Sequence, residues 1–215
     1  MKKTAIILGA TGLTGNLLLH RLLDDPDFVK IKLFSRSAVE IDSEKIEEHL
    51  VDLLKLENQI DAFSGDVVFC CIGTTKAKTP NKDLYRKIDY GIPVTAAKLA
   101  KQNGIPKFIV ISSLGADADS RIFYSKTKGQ MEQDVLKEAL PETYILRPSL
   151  ILGDRNESRL GEKIGSILLK TFNFIIPKKY RAISADSIAG AMHKLSKIHY
   201  KNTFIPSNEI KKMQI

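Results

Sequence analysis

Cysteine is scarce in this chain: there are two, Cys70 and Cys71, and they are adjacent. Neighbouring cysteines are badly placed to form a disulfide with each other, and on a strand their side chains point to opposite faces. They read as buried thiols acting as small hydrophobes. The four histidines, His20, His49, His193 and His199, are dispersed. With no Cys/His cluster at ligand spacing, no metal site is expected. Long apolar runs are lacking too. Nothing approaches the ~20 residues that a membrane span needs. The run 5–8 is too short for a signal-peptide core and ends at Gly9. The expectation is a cytoplasmic protein without a membrane partner.

No block of one charge is present either. The formal net charge is +8, yet lysines alternate with acids, as in KLENQIDAF and KGQMEQDVLKEA. Such patterning is a solvated surface, so no nucleic-acid partner is expected. Internal repeats and low-complexity linkers are missing. What remains is 215 residues with 43% hydrophobic and 27% charged content, which suits one soluble domain with a sizeable core.

Apolar, β-rich runs at 4–8, 30–34, 48–51, 66–72, 107–112 and 143–146 alternate with helical patterns at 14–23, 56–63, 82–103 and 124–139. This order predicts an α/β fold: a doubly wound parallel sheet of Rossmann type, 1–215 forming a single domain. Near-continuous apolar strands such as VVFCCI fit burial on both faces. Beyond about residue 150 the pattern loosens. The segment SADSIAGAMHKLSKI reads as a helix capped by Ser184, and NTFIP as a last short strand. Residues 150–215 are expected to form a small C-terminal appendage on the substrate side.

Gly9, Gly12 and Gly15 stand at the join of the first strand and first helix, in GATGLTG. Gly9 permits a tight turn, Gly12 lets backbone approach a pyrophosphate, and Gly15 lets helix pack close to strand. The N–H groups of the helix's first turn then face the phosphates. The second strand is followed by Ser35-Arg36-Ser37, with no acid to hold a ribose 2′-hydroxyl. An arginine there accommodates a 2′-phosphate, so NADP(H) is expected in preference to NAD(H). Asp52 after the third strand either meets the adenine amino group or caps the next helix. After the fourth strand, Gly73 lets the chain pass beside a cofactor, and Thr74 offers a hydroxyl.

The fifth strand ends at Ser112-Ser113; Tyr124 and Lys128 follow, four residues apart on one helix face. A nearby ammonium favours a phenolate. Such a tyrosine exchanges protons with a carbonyl or alcohol oxygen, and a serine hydroxyl can hold the same oxygen. Ser112 and Ser113 both qualify.

Four stretches carry a resemblance: LGATGLTG, FCCIGTTKAK, SSLGADADSRIFYSKTKGQMEQ and LRPSLILGDRNESRLGE. The chain resembles the atypical short-chain dehydrogenase/reductases. More narrowly it is similar to the Tat-interacting-protein oxidoreductases and their bacterial relatives, near the NmrA-like proteins. The resemblance implies a Rossmann fold binding NADP(H) and a Ser–Tyr–Lys active site. It places Thr11, Gly12, Leu13 and Thr14 along the pyrophosphate, and Arg36 and Ser37 at the 2′-phosphate. Ile72 and Gly73 flank the ribose and nicotinamide, and Tyr124 and Lys128 are catalytic. Arg147-Pro148-Ser149, with Leu150 and Ile151, runs past the nicotinamide, and Arg159 reaches the cofactor from the appendage. The leading expectation is an oxidoreductase acting on a small carbonyl or alcohol, as monomer or homodimer. The alternative is a nucleotide-sensing module with a protein partner and no significant turnover.

Overall fold

The computed structural model describes residues 2–152 and 181–213. Seven strands form one all-parallel sheet: β1 (Lys3–Leu8), β2 (Phe28–Ser35), β3 (Ile46–Leu50), β4 (Val67–Cys70), β5 (Lys107–Ile111), β6 (Glu142–Arg147) and β9 (Phe204–Pro206). Their order across the sheet is β3-β2-β1-β4-β5-β6-β9. A separate pair, β7 (Ile151–Leu152) and β8 (Ile183–Ser184), lies parallel beside it. β1 has β2 on one side and β4 on the other, which opens a crevice at the carboxyl ends of Leu8 and Cys70.

Alternation along each strand feeds two cores. Ala5, Ile7, Val67, Phe69 and Ile109 pack on one face with Leu18, Leu19 and Leu22 of α1 (Leu13–Asp24) and Ile188, Met192 and Leu195 of α5 (Ala185–Lys197). Ile6, Leu8, Val68, Phe108 and Val110 pack on the other with α3 (Ile92–Gln102) and α4 (Phe123–Lys137). Residues two apart share a face, so an unbroken apolar strand serves both layers. Cys70 and Cys71 are free and divide between the two cores. Burial pushes the Cys70 thiol up to about 11.

Some elements differ from the sequence pattern for physical reasons. The third strand is Ile46–Leu50, a partly exposed edge whose IEEHL lacks an apolar run. The helix expected at 56–63 is a 3₁₀ helix at Leu53–Gln59, entered through Asp52. The helix expected over 82–103 is broken into α2 (Lys82–Arg86), a π turn (Lys87–Gly91) and α3. Pro93 explains the break: it has no N–H to give the Asp89 carbonyl one turn back. The Ile92 N–H bonds the Lys87 carbonyl instead, five residues back. In the C-terminal third, Ser184 caps α5 through the Ser187 N–H at 3.0 Å. β9 extends the sheet beside β6, and α6 (Ser207–Lys212) follows it.

Candidate active site

The crevice begins at Gly9, whose φ of +88° suits glycine alone. The Gly12 N–H donates to the Gly9 carbonyl at 3.0 Å, closing the turn. A Cβ on Gly15 would lie 2.1 Å from the Gly9 carbonyl oxygen, so only glycine lets α1 start this close to β1. α1 is entered at Gly12 with no side-chain cap and no acid in its first turn. The N–H groups after Thr11 and Gly12, at Leu13 and Thr14, therefore meet no side-chain acceptor, and the helix dipole favours an anion there. A dinucleotide pyrophosphate fits this cradle.

At the carboxyl end of β2, the Ser35 hydroxyl donates to the Ser37 carbonyl at 2.7 Å and shapes the turn. Arg36 and Ser37 are exposed there. Among the described residues Arg36 makes no ion pair, so its guanidinium is open to a ligand. Asp52 serves as a cap: its carboxylate accepts from the Leu54 N–H at 3.0 Å.

Past β4 the chain runs through Ile72, Gly73 and Thr74. The Thr74 hydroxyl pairs with that of Thr79 at 2.9 Å, and the Tyr85 hydroxyl donates to the Thr74 carbonyl at 3.3 Å. The Thr74 N–H donates to Asp89 Oδ2 at 2.8 Å. Asp89 sits on the π turn, and its other oxygen forms an ion pair with Lys128 Nζ at 2.9 Å. These side chains are 1% and 4% exposed, so the pair is inside the protein. Burial lowers the Lys128 pKa, but the Asp89 carboxylate and then Tyr124 outweigh it, and Lys128 is held above its ordinary value as an ammonium.

At the tip of β5, Ser112 and Ser113 are both buried, and neither hydroxyl has a partner among the described residues. A buried hydroxyl without a partner is costly. The loop after Ser113 lies on α4: the Asp117 N–H donates to the Ser125 carbonyl at 3.0 Å. Gly129 makes this approach possible, since a Cβ there would be 2.1 Å from the Ala118 nitrogen. Tyr124, in the first turn of α4, is 41% exposed, while Lys128 one turn on is buried beneath it. Serine tip, tyrosine and lysine are thus brought to one end of the sheet, next to the glycine cradle.

Two buried carboxylates at the site, Asp89 and Glu132, are not singled out by residue type and spacing. Glu132 follows Lys128 by four residues, on the same helix face, which was the signal for it. It binds Arg147 through both carboxylate oxygens, one at 3.0 Å from Nε. Arg147 also lies over the Phe204 ring at 4.1 Å. Arg147 therefore ties α4, β6 and β9 together. The signal for Asp89 was Pro93, four residues later. Ile151 sits in the β7–β8 pair, partly buried against the α1-side core. Arg159 lies outside the described residues.

The family model described as NAD(P)H-binding matches residues 9–195. The protein FMP52-1, mitochondrial, of Scheffersomyces stipitis is 37% identical over 164 residues, covering 73% of this chain and 70% of that protein. The protein HTATIP2 of Rattus norvegicus is 37% identical over 164 residues, covering 74% and 67%. In fold, the UDP-glucuronic acid 4-epimerase of Bacillus cereus, solved with NAD, superposes with a TM-score of 0.69 at 15% identity, covering 94% of this chain and 77% of that one. One expectation is corrected. FMP52 relatives from several yeasts are named mitochondrial, so the cytoplasmic assignment read from the short apolar start does not hold.

Proposed function

The chain belongs to the NAD(P)H-binding family of atypical short-chain dehydrogenase/reductases, and from that membership we propose that it is an NADP(H)-dependent oxidoreductase acting on a small carbonyl or alcohol. The observation that carries the reading is the constellation at the carboxyl end of the sheet. Two buried serine hydroxyls without a partner among the described residues follow β5, and Tyr124 and Lys128 share one face of α4 beside the glycine cradle.

The cofactor, when bound, supplies or accepts the hydride. Leu13 and Thr14 N–H groups hold its pyrophosphate. Arg36 and Ser37 hold the 2′-phosphate, which favours NADP(H) over NAD(H). Gly73 leaves room on the nicotinamide side: the nearest atom to a Cβ built there is Asp89 Oδ1, at 3.7 Å. Lys128 donates to the ribose hydroxyls with the N–H groups that Asp89 does not use. Ser112 or Ser113 orients the substrate oxygen, and Tyr124 gives or takes its proton.

Tyr124→Phe removes the proton donor and nothing else. Turnover of NADPH with a panel of small carbonyl compounds is expected to fall by a factor of about 10²–10⁴, with NADPH affinity unchanged in a fluorescence titration. Equal turnover by the variant and the wild type would take Tyr124 out of the chemistry.

A further inference from the structure

The end of the sheet opposite the glycine cradle holds a cavity of about 430 Å³, a size within the range of small-molecule sites. Lys107, the first residue of β5, donates from Nζ to the Ile198 carbonyl at 3.0 Å and to the Leu195 carbonyl at 3.1 Å. The last turn of α5 is thereby fixed where the strands begin, and the cavity opens beside it. Lys194 of α5, Lys201 ahead of β9 and Lys212 of α6 share its wall. None of the three makes an ion pair among the described residues. We infer that this cavity is a binding site for a small organic anion that carries two or more charges on carboxylate or phosphate groups.

Three ammonium groups around one cavity repel one another, and the concave wall concentrates their field on whatever enters. Glu209 is the acid among the lining residues, and its Oε2 accepts from the Tyr200 hydroxyl at 2.9 Å. That bond, and then burial, raise the Tyr200 pKa, so the hydroxyl stays neutral. Three positive side chains and one negative leave a formal charge of +2 on the lining, which sets the charge of the anion. Two lysines beside the cavity are committed elsewhere. Lys107 pairs with Glu142 at 3.3 Å, and Lys197 pairs with Asp25 and Asp27 at 2.8 and 2.6 Å. The lysines that face the cavity are the ones left for a ligand.

The rest of the wall is already in place. The Tyr200 N–H donates to the Tyr144 hydroxyl at 2.8 Å, and the Met213 N–H to the Ile210 carbonyl at 3.1 Å. Met213 is buried in the α1-side core. Binding therefore orders only the lysine heads on their flexible stems, which keeps its entropic cost low. Ile198 and Met213 make part of the lining apolar, so the carbon frame of an organic anion gains contacts that a bare ion does not.

The methionine methyl groups, seen by NMR after carbon-13 labelling, test this and separate the two ends of the sheet. Met213 lines the cavity, whereas Met192 touches Cys71 beside the Gly9 turn and reports on the cradle. The protein is titrated with citrate and, separately, with phenyl phosphate at constant ionic strength. The Met213 signal is expected to move along a saturating curve with a midpoint below about 1 mM. The tighter of the two probes identifies the group as carboxylate or phosphate. In Lys201→Gln with Lys212→Gln, both exposed positions, the midpoint is expected to rise by about tenfold or more, with the melting curve unchanged. A Met213 shift that stays linear with both probes, or an unchanged midpoint in the double variant, overturns the inference. So does movement of Met192 alone, which would place the anion in the cradle. NADPH binding is read separately on the same samples, so its failure would sink the oxidoreductase reading and leave this site standing.

Discussion

Lys128 is buried at 3% exposure, and in the proposed site it holds ribose hydroxyls as an ammonium. Alone, that combination is expensive, because removing an ammonium from water costs several kcal/mol. Asp89 resolves it by contact, and the Thr74 N–H fixes Asp89 in turn. Asp89→Ala leaves the ammonium buried and unpaired, which is expected to cost about 3–5 kcal/mol of stability in urea unfolding. A loss below about 1 kcal/mol would mean that water solvates Lys128. Asp89→Asn keeps the shape and the Thr74 bond, which makes it the variant for functional work. Tyr124, Lys128 and the two serines could be named from residue type and spacing. Asp89 could not, because helical periodicity places residue 89 without the extra residue that a π turn inserts.

At the scale of elements, α4 organises the site. Tyr124, Lys128 and Glu132 fall one turn apart on one face, and each reaches a different neighbour: solvent, the π turn and the end of β6. Close packing of α4 against the loop after β5 depends on Gly129. A Cβ there would sit 2.1 Å from the Ala118 nitrogen and 2.3 Å from the Asp117 carbonyl carbon, backbone atoms that cannot turn aside. Gly129→Ala is expected to cost about 3 kcal/mol and to lower the melting temperature by roughly 6–12 °C. Turnover should fall more than NADPH affinity, because the glycine cradle belongs to β1 and α1. An unchanged melting curve would contradict this packing. The central strands and the cradle were legible because their signals are local: unbroken apolar runs, and glycines directly after one of them. The edge strand Ile46–Leu50 was blurred because water covers part of it. The interruption of the helix over 82–103 was hidden because only Pro93 hints at it.

Across the whole molecule, α5 is latched to the loop after α1 by a charge cluster distant in sequence. Asp25 Oδ2 lies 2.6 Å from His193 Nε2 and 2.8 Å from Lys197 Nζ, and Lys197 also reaches Asp27 at 2.6 Å. Burial raises the Asp25 pKa, but the Lys197, Asp27 N–H and His193 contacts outweigh it and hold the carboxyl well below the usual carboxylate range. A depressed folded pKa contributes stability that is present above the unfolded value near 4 and is lost as pH falls below it. The stability difference between wild type and Asp25→Asn is therefore expected to be constant above about pH 4 and to shrink below it. Urea unfolding at a series of pH values checks this; a difference that persists undiminished at low pH would contradict it. No local pattern announces such a latch, which joins residues 25 and 193 across the fold.

The cradle at Gly9–Gly15, with Arg36 just past the end of β2, is proposed as a site for NADP(H). A fluorescence titration of the protein with NADPH and, in parallel, with NADH tests it most directly, with Arg36→Ala as the control. NADPH is expected to bind much more tightly than NADH, and Arg36→Ala to remove that preference while leaving NADH binding in place. Tighter binding of NADH, or binding of neither nucleotide by the folded protein, would contradict the assignment.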